Sequence, residues 1–124
     1  MLRINNLNQY YGESHTLWDI DFSIEKGSCV CLMGRNGVGK TTLLKLMLGL
    51  LNADSGSIRI FGKPPKEVSH RIGYVPQNIH INQNFPISPL DVVLMGKLKP
   101  GRDWSRHAKE DRMEALQALE RLGV

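Results

Sequence analysis

The stretch Gly34-Arg35-Asn36-Gly37-Val38-Gly39-Lys40-Thr41-Thr42 decides the fold of this chain. It fits the pattern G-x-x-x-x-G-K-[ST], whose fixed positions are Gly34, Gly39, Lys40 and Thr41. One apolar run, residues 29–33, precedes the stretch, and a second run, 43–51, follows it. A strand, a glycine-rich loop and a helix in that order are the context in which this pattern binds phosphate. The sequence therefore predicts a phosphate-binding loop at residues 34–42.

Each part of this loop has its own chemical task. Glycines let successive backbone N–H groups converge on phosphate oxygens, and the start of the following helix adds unpaired N–H groups and a positive dipole end. Lys40 would bring a mobile positive charge to the β- and γ-phosphates, and the Thr41 hydroxyl would coordinate Mg²⁺. A glycine-rich turn with a solvated lysine is the structural alternative, and the flanking apolar runs argue against it.

Composition sets the broad class of the protein. At 124 residues with 41% hydrophobic and 23% charged residues, the chain is typical of one soluble globular domain. The net charge of +4 suits an anionic ligand, but no basic tract with interleaved aromatic residues indicates nucleic-acid binding. The first residues lack the apolar core of a signal peptide, and the run 43–51 is too short to span a membrane. We therefore expect a cytoplasmic protein.

The two cysteines, Cys29 and Cys31, lie two residues apart in the apolar run before the loop. In a strand their side chains share one face, which is an awkward arrangement for a disulfide between them. Metal or redox chemistry would need further ligands at a suitable spacing. We expect both side chains to be small buried hydrophobic groups.

Hydrophobic periodicity predicts five strands and three helices. The run at 29–33 is apolar on both faces, as expected of a central parallel strand. Ser88 followed by Pro89 and Asp91 is typical of a capped helix start. Pro64-Pro65 indicates a loop, as does 78–87, and 99–103 a connector. The predicted strands are 2–7, 17–24, 29–33, 58–61 and 72–75, and the predicted helices are 40–48, 88–97 and one capped by Ser105 that ends before Gly123.

The loop alone does not separate kinases, GTPases and transport ATPases. More than thirty residues precede it here, whereas GTPases and small-molecule kinases usually begin with the loop. The N-K-x-D motif with which GTPases recognise guanine is also missing from the sequence. Three motifs then give the chain a resemblance to the ATP-binding subunits of ABC transporters over essentially all 124 residues. Tyr11-Gly12 is similar to the adenine-stacking aromatic of that family, residues 34–42 to its Walker A loop, and residues 73–77 to its Q-loop.

The resemblance implies an α/β fold, with a P-loop NTPase (RecA-like) core, an N-terminal antiparallel β subdomain and the start of a helical subdomain. It implies ATP and Mg²⁺ as ligands. Tyr11 would stack on adenine, Thr42 would lie near the α-phosphate, and Arg35 and Asn36 would face a second protomer. Lys40 and Gln77 are the candidate catalytic residues, and Thr41 and Gln77 the candidate Mg²⁺ contacts. The candidate nucleotide-binding residues are Tyr11, Gly34, Arg35, Asn36, Gly37, Val38, Gly39, Lys40, Thr41 and Thr42.

The family pattern is incomplete in these residues. We find no signature loop of the LSGGQ type, no acidic Walker B strand with its glutamate and no late histidine, and we assign no chemistry to His15, His70, His80 or His107. We interpret the chain as an incomplete domain, with residues 1–77 as the β and phosphate-loop core and 78–124 as the start of the helical subdomain. Because charge stabilisation and water activation would both be missing, we expect these residues alone to bind nucleotide weakly if at all and not to turn ATP over at a useful rate.

The resemblance also implies partners and a place in the cell. Residues 77–97 would meet a membrane-spanning permease subunit, and a second ATP-binding subunit would join head to tail, at the inner face of the plasma membrane. Residues 1–45 resemble subunits of urea and branched-chain amino-acid transporters, whereas the chain from residue 61 resembles zinc and manganese transporters, so a chimera is one interpretation. We favour metal-ion import. The alternatives are a nucleotide-binding module without catalysis, a urea or amino-acid importer subunit, and a soluble ABC-type ATPase acting on nucleic acid.

Overall fold

The structure is a computed structural model that describes residues 1–77, 86–98, 101 and 109–124. The chain divides into two compact units, residues 1–72 and residues 73–124. The elements in chain order are β1 (Leu2–Tyr11), β2 (Ser14–Ile24), α1 (Lys40–Met47), β3 (Ser55–Ile60), α2 (Pro65–Val68), a 3₁₀ turn (Ser69–Arg71), α3 (Pro89–Met95) and α4 (Lys109–Arg121).

The first unit is built on a three-stranded antiparallel sheet in the order β2-β1-β3. On the central strand, Ile4 lies opposite Phe22 of β2 and Ile58 of β3. The predicted antiparallel strands are confirmed, and both strands of the first hairpin are longer than predicted, so that only Gly12 and Glu13 separate them. Gly12 has a positive φ of 60°, which a tight turn favours at glycine.

The hydrophobic core lies where helix α1 packs on this sheet. Leu43 and Leu46 are the buried residues of the helix, which begins at Lys40 as predicted. The helix ends with Gly49 at a φ of 74°, and the Gly49 N–H donates to the Leu46 carbonyl at 3.1 Å. The core cluster consists of Ile4, Leu7, Leu17, Leu43, Leu46, Ile58, Ile60 and Val68. Packing of helix α1 on the sheet therefore positions the end of the phosphate-binding loop.

The predicted central strand at 29–33 was wrong. Residues 28–35 have no regular secondary structure, and Met33 is 83% exposed. Cys29 and Cys31 are exposed thiols, so the prediction that they are buried was also wrong. The physical reason is that a central strand needs hydrogen-bonded neighbours. Within the described ranges the ladders join only β1, β2 and β3, and none of them extends along residues 28–35.

Two further segments differ from their predictions. Residues 72–75 have no regular secondary structure, and Tyr74 and Val75 are exposed, because the described residues offer them no pairing strand either. Pro64-Pro65 does not form a loop, because Pro64 caps a short helix whose first residue is Pro65. Proline suits the first helical position, where its missing N–H costs nothing and its φ is already helical.

The second unit contains the helix pair α3 and α4, which pack on each other through the buried Leu94 and Ala115. Ser88 and Asp91 form the predicted capping box at the start of α3, in which each residue's side chain accepts from the other's backbone N–H. Lys97 forms an ion pair with Glu114. Ser105, the predicted cap of the last helix, lies outside the described residues, as do residues 78–85 and most of the connector at 99–103.

Two apolar residues one helical turn apart on α4, Met113 and Leu116, form a stripe that is largely solvent-exposed. Met113 and Leu116 are 55% and 53% exposed, while Ala115 is the buried residue of α4. Helix α3 therefore does not bury this stripe.

In the described part of the chain, no helix has the length and apolar character needed to cross a membrane.

Candidate nucleotide-binding site

The predicted phosphate-binding loop ends at the first turn of helix α1. Gly37 and Gly39 have positive φ values of 82° and 94°, a conformation that side chains disfavour. Gly39 is the N-cap of α1, and its carbonyl accepts the N–H of Leu43 at 2.9 Å. The N–H groups of residues 40–42 precede that first helical bond, so helix geometry leaves them without an intrahelical acceptor. Glycine has no side chain to cap them, and they are therefore available to an anion.

A cavity of about 330 Å³ lies over this helix start. Its volume falls within the range usual for small-molecule sites. None of its lining residues is acidic, and backbone donors of the first helical turn reach it, so the cavity has the chemistry of an anion site. The residues present therefore fit a nucleotide phosphate chain. The lining consists of Thr16, Asn36, Gly37, Gly39, Lys40, Thr41 and Thr42.

The Lys40 side chain folds back along the loop. Its Nζ donates to the carbonyl of Gly34 and, at 2.6 Å, to the carbonyl of Arg35. Both acceptors lie at the start of the loop, so the lysine closes the loop on itself through charge-assisted hydrogen bonds. Lys40 as a residue is half-buried, and its long stem can rotate, which lets the ammonium group exchange these carbonyls for phosphate oxygens.

Strand β2 packs directly against the end of the loop. A Cβ atom added at Gly39 would lie 2.8 Å from Cδ2 of Leu17 and 3.1 Å from the carbonyl oxygen of Thr16. Thr16 thereby becomes a wall of the phosphate cavity, a role that the sequence analysis missed. The only sequence signal was the glycine itself, because a position without a Cβ permits a close approach but does not name the approaching residue.

The structure brings most of the predicted loop residues together. Asn36, Gly37 and residues 39–42 line the cavity, whereas Gly34, Arg35 and Val38 do not. Val38 is 52% exposed, and its Cγ2 would lie 3.1 Å from a Cβ added at Gly34. Thr41 is exposed and Thr42 half-buried, as the second and third residues of the helix.

Two predicted site residues lie outside the loop. Tyr11 is the last residue of β1, and its side chain is 69% exposed. Gln77 is exposed and belongs to the unit 73–124. Both side chains are open to solvent, as contacts with a ligand or partner require.

This site is typical of a P-loop fold that binds phosphate: it has a glycine-rich loop, the lysine that follows it and the start of a helix. A profile of the family described as "ABC transporter" matches residues 17–124. The chain therefore belongs to the ABC transporter family, and the family resemblance found in the sequence is confirmed. The fold expected from it, a P-loop cassette with an antiparallel β subdomain, is likewise confirmed.

Relatives and a solved structure place the chain within that family. It is 40% identical over 121 residues to a Chlamydia pneumoniae protein named "Probable metal transport system ATP-binding protein", covering 98% of this chain and 47% of the relative. It is 37% identical to the Treponema pallidum "Zinc transport system ATP-binding protein TroB", covering 99% and 46%. It is 40% identical to the Bacillus subtilis "Manganese transport system ATP-binding protein MntB", covering 99% and 49%.

A nucleotide-free ATP-binding cassette from an ABC transporter superposes with a TM-score of 0.74 at 28% identity, covering 96% of this chain and 52% of that chain. The chain spans about half the length of the curated relatives that it matches, for example 47% of the Chlamydia pneumoniae protein. The matches to metal transport proteins cover residues 1–45 as well as the later half of the chain. Relatives of this one class therefore account for both parts of the sequence.

Proposed function

We propose that this chain is the nucleotide-binding part of an ABC transporter subunit that couples ATP to the import of a metal ion, zinc or manganese. One observation carries the proposal: the phosphate cavity around Lys40 lies in a chain whose relatives are named for metal, zinc and manganese transport. The cavity supports nucleotide binding, and the names of the relatives support the cargo.

ATP with Mg²⁺ is the proposed ligand. Backbone N–H groups of residues 37–41 would cradle the β-phosphate, Thr42 would lie near the α-phosphate, and Lys40 would neutralise charge on the β- and γ-phosphates. The Thr41 hydroxyl and Gln77 would hold Mg²⁺, which would supply positive charge against the phosphates. Tyr11 would stack on the adenine, and Gln77 would also orient the attacking water.

The proposed Mg²⁺ contact can be tested at Thr41. We expect Thr41→Ala to weaken ATP binding in Mg²⁺ by about tenfold and to leave binding in EDTA unchanged, because the hydroxyl would be an oxygen ligand of the ion. Thr41→Ser is the matched control, since it keeps the hydroxyl. The measurement is calorimetric titration with ATP in Mg²⁺ and in EDTA. A Thr41→Ala variant with the full Mg²⁺ dependence would contradict this contact.

A permease subunit and a second ATP-binding subunit complete the proposed assembly. Residues 77–97 would contact the permease, and Arg35 and Asn36 would face the second nucleotide-binding subunit in a head-to-tail dimer. We place the assembly at the inner face of the plasma membrane, with this subunit bound peripherally on the cytoplasmic side.

The exposed stripe on α4 supports a partner for the second unit, because neighbouring apolar side chains of this size are seldom left exposed to water. The division into a core at 1–77 and a helical part at 78–124 is part of the same proposal.

The proposed cargo is tested in the organism that carries the gene. We expect disruption of the gene to lower uptake of radioactive zinc or manganese several-fold, with uptake of urea and leucine unchanged. Restoring the intact gene is the control for effects on neighbouring genes. Loss of urea or leucine uptake with normal metal uptake would favour the second candidate, a urea or amino-acid importer, to which residues 1–45 are similar. The expectation that these 124 residues alone do not turn ATP over stays a prediction.

A further inference from the structure

Three aromatic rings stack on the surface of the β1–β2 hairpin. The ring of His15 lies nearly parallel to that of Tyr10, with centroids 4.1 Å apart and an interplanar angle of 13°. The Trp18 ring also contacts His15, with centroids 3.5 Å apart and the two rings tilted by 36°. We call these three residues the hairpin stack. His15 has a ring on each of two sides, so it joins the strand end at Tyr10 to the body of β2.

Hydrogen bonds fix each member of the hairpin stack. Asn8 Oδ1 accepts the backbone N–H of Asp19 at 3.0 Å and lies 2.9 Å from His15 Nε2. Because an amide oxygen can only accept, Nε2 carries the proton and donates to it. Trp18 Nε1 donates to the His15 carbonyl at 3.1 Å. The backbone N–H of Tyr10 donates to Asp54 Oδ2 at 2.8 Å, a bond to the turn that follows helix α1.

Tyr11 is the next residue after this anchored position. Its strand partner is Ser14, which directly precedes His15, so the hairpin stack holds both strands next to the turn that follows Tyr11. Tyr11 itself takes part in none of the ring contacts found among the described residues, and its side chain is 69% exposed. The backbone of Tyr11 is therefore held on both sides while its ring remains open to a ligand.

We propose that the hairpin stack is a support that holds Tyr11 ready for the base of the nucleotide, with His15 as the positioning residue. This inference rests on the proposed ATP site. A platform that is ordered before binding loses less conformational freedom when the base arrives, so a rigid hairpin increases the affinity for the base. The support acts on the base more than on the phosphates, because the loop contacts β2 through Thr16 and Leu17, which are not members of the hairpin stack.

His15→Ala and His15→Phe test the support against each other. We expect His15→Ala to weaken Mg-ATP binding three- to tenfold and to leave binding of Mg-tripolyphosphate, which has no base, unchanged. Phenylalanine can stack between the same two rings, so His15→Phe should restore most of the ATP affinity. The measurement is competition of each ligand against a fluorescent ATP analogue. An equal loss for both ligands, or no loss for ATP, overturns the proposal.

Two further measurements separate this proposal from the nucleotide site on which it rests. If Tyr11→Ala lowers the ATP affinity and His15→Ala does not, Tyr11 contacts the base but the hairpin stack does not position it, and this proposal is wrong. If Tyr11→Ala leaves the ratio of ATP to tripolyphosphate affinity unchanged, the platform and its support both fail. Amide hydrogen exchange needs no nucleotide: His15→Ala should speed exchange at residues 10–15 at least tenfold relative to the β1–β3 ladder. Unchanged exchange there overturns the support.

Discussion

Lys40→Ala is expected to weaken Mg-ATP binding about 10- to 100-fold, since hydrogen bonds to charged groups contribute about 1.5–3 kcal/mol. In the structure the ammonium of Lys40 donates to the carbonyls of Gly34 and Arg35 at the start of the loop. Phosphate oxygens are stronger acceptors than these carbonyls, so the lysine gains by turning toward a nucleotide. The substitution removes both the closure of the loop and the charge that meets the phosphates. Calorimetric titration with Mg-ATP measures the loss.

Lys45→Ala is the matched control for this prediction. Lys45 lies on the same helix, is exposed, and does not line the phosphate cavity. Its removal takes the same charge from the chain, so it should change the affinity less than twofold at physiological salt. Equal losses from the two substitutions would mean that net charge, and not the geometry of the loop, attracts the nucleotide. The nucleotide site proposed here would then be wrong.

Local sequence was sufficient to predict the loop and the helices next to it. Glycines at positions 37 and 39, a lysine and a threonine at fixed spacing determine backbone conformation within a few residues, and the structure has these glycines at positive φ. The capping box of Ser88 and Asp91 was predictable for the same reason, since its two hydrogen bonds join residues only three positions apart. Where the interaction is local, the sequence pattern and the structure agree.

Strand formation at residues 29–33 could not be predicted from the segment itself. Its apolar residues favour a buried strand, but a strand is completed only by hydrogen bonds to a neighbour distant in sequence. The described residues supply no such neighbour, and Val30 is 58% exposed. The chain spans about half the length of its relatives, for example 49% of the Bacillus subtilis manganese transport protein.

Residues that act through tertiary contacts were missed for a related reason. Thr16 lines the phosphate cavity because β2 lies against Gly39, and His15 contacts the Tyr10 ring because the two residues are partners across the hairpin. Neither residue belongs to a recognisable sequence motif. Such roles depend on which strand lies beside which loop, and that follows from packing and not from the spacing of residues along the chain.

Gly39→Ala is expected to lower the free energy of unfolding by about 2–5 kcal/mol, from backbone strain and overpacking together. Its φ of 94° already disfavours a side chain. The added Cβ would also lie 2.8 Å from Leu17 Cδ2 and 3.1 Å from the Thr16 carbonyl oxygen. Leu17 is only 5% exposed and belongs to the core, so it has little room to move, and the carbonyl is part of the strand backbone. Urea unfolding followed by circular dichroism measures the change.

Gly37→Ala provides the control that separates strain from crowding. Its φ of 82° is similar, but nothing lies within 4 Å of the Cβ that would be added. Gly37→Ala should therefore carry only the backbone cost of about 1–2 kcal/mol. If the two substitutions destabilise the protein equally, β2 does not pack against the loop as the structure has it. The assignment of Thr16 to the wall of the cavity would then be wrong. If Gly39→Ala costs clearly more, the sheet holds the loop in shape before any nucleotide binds.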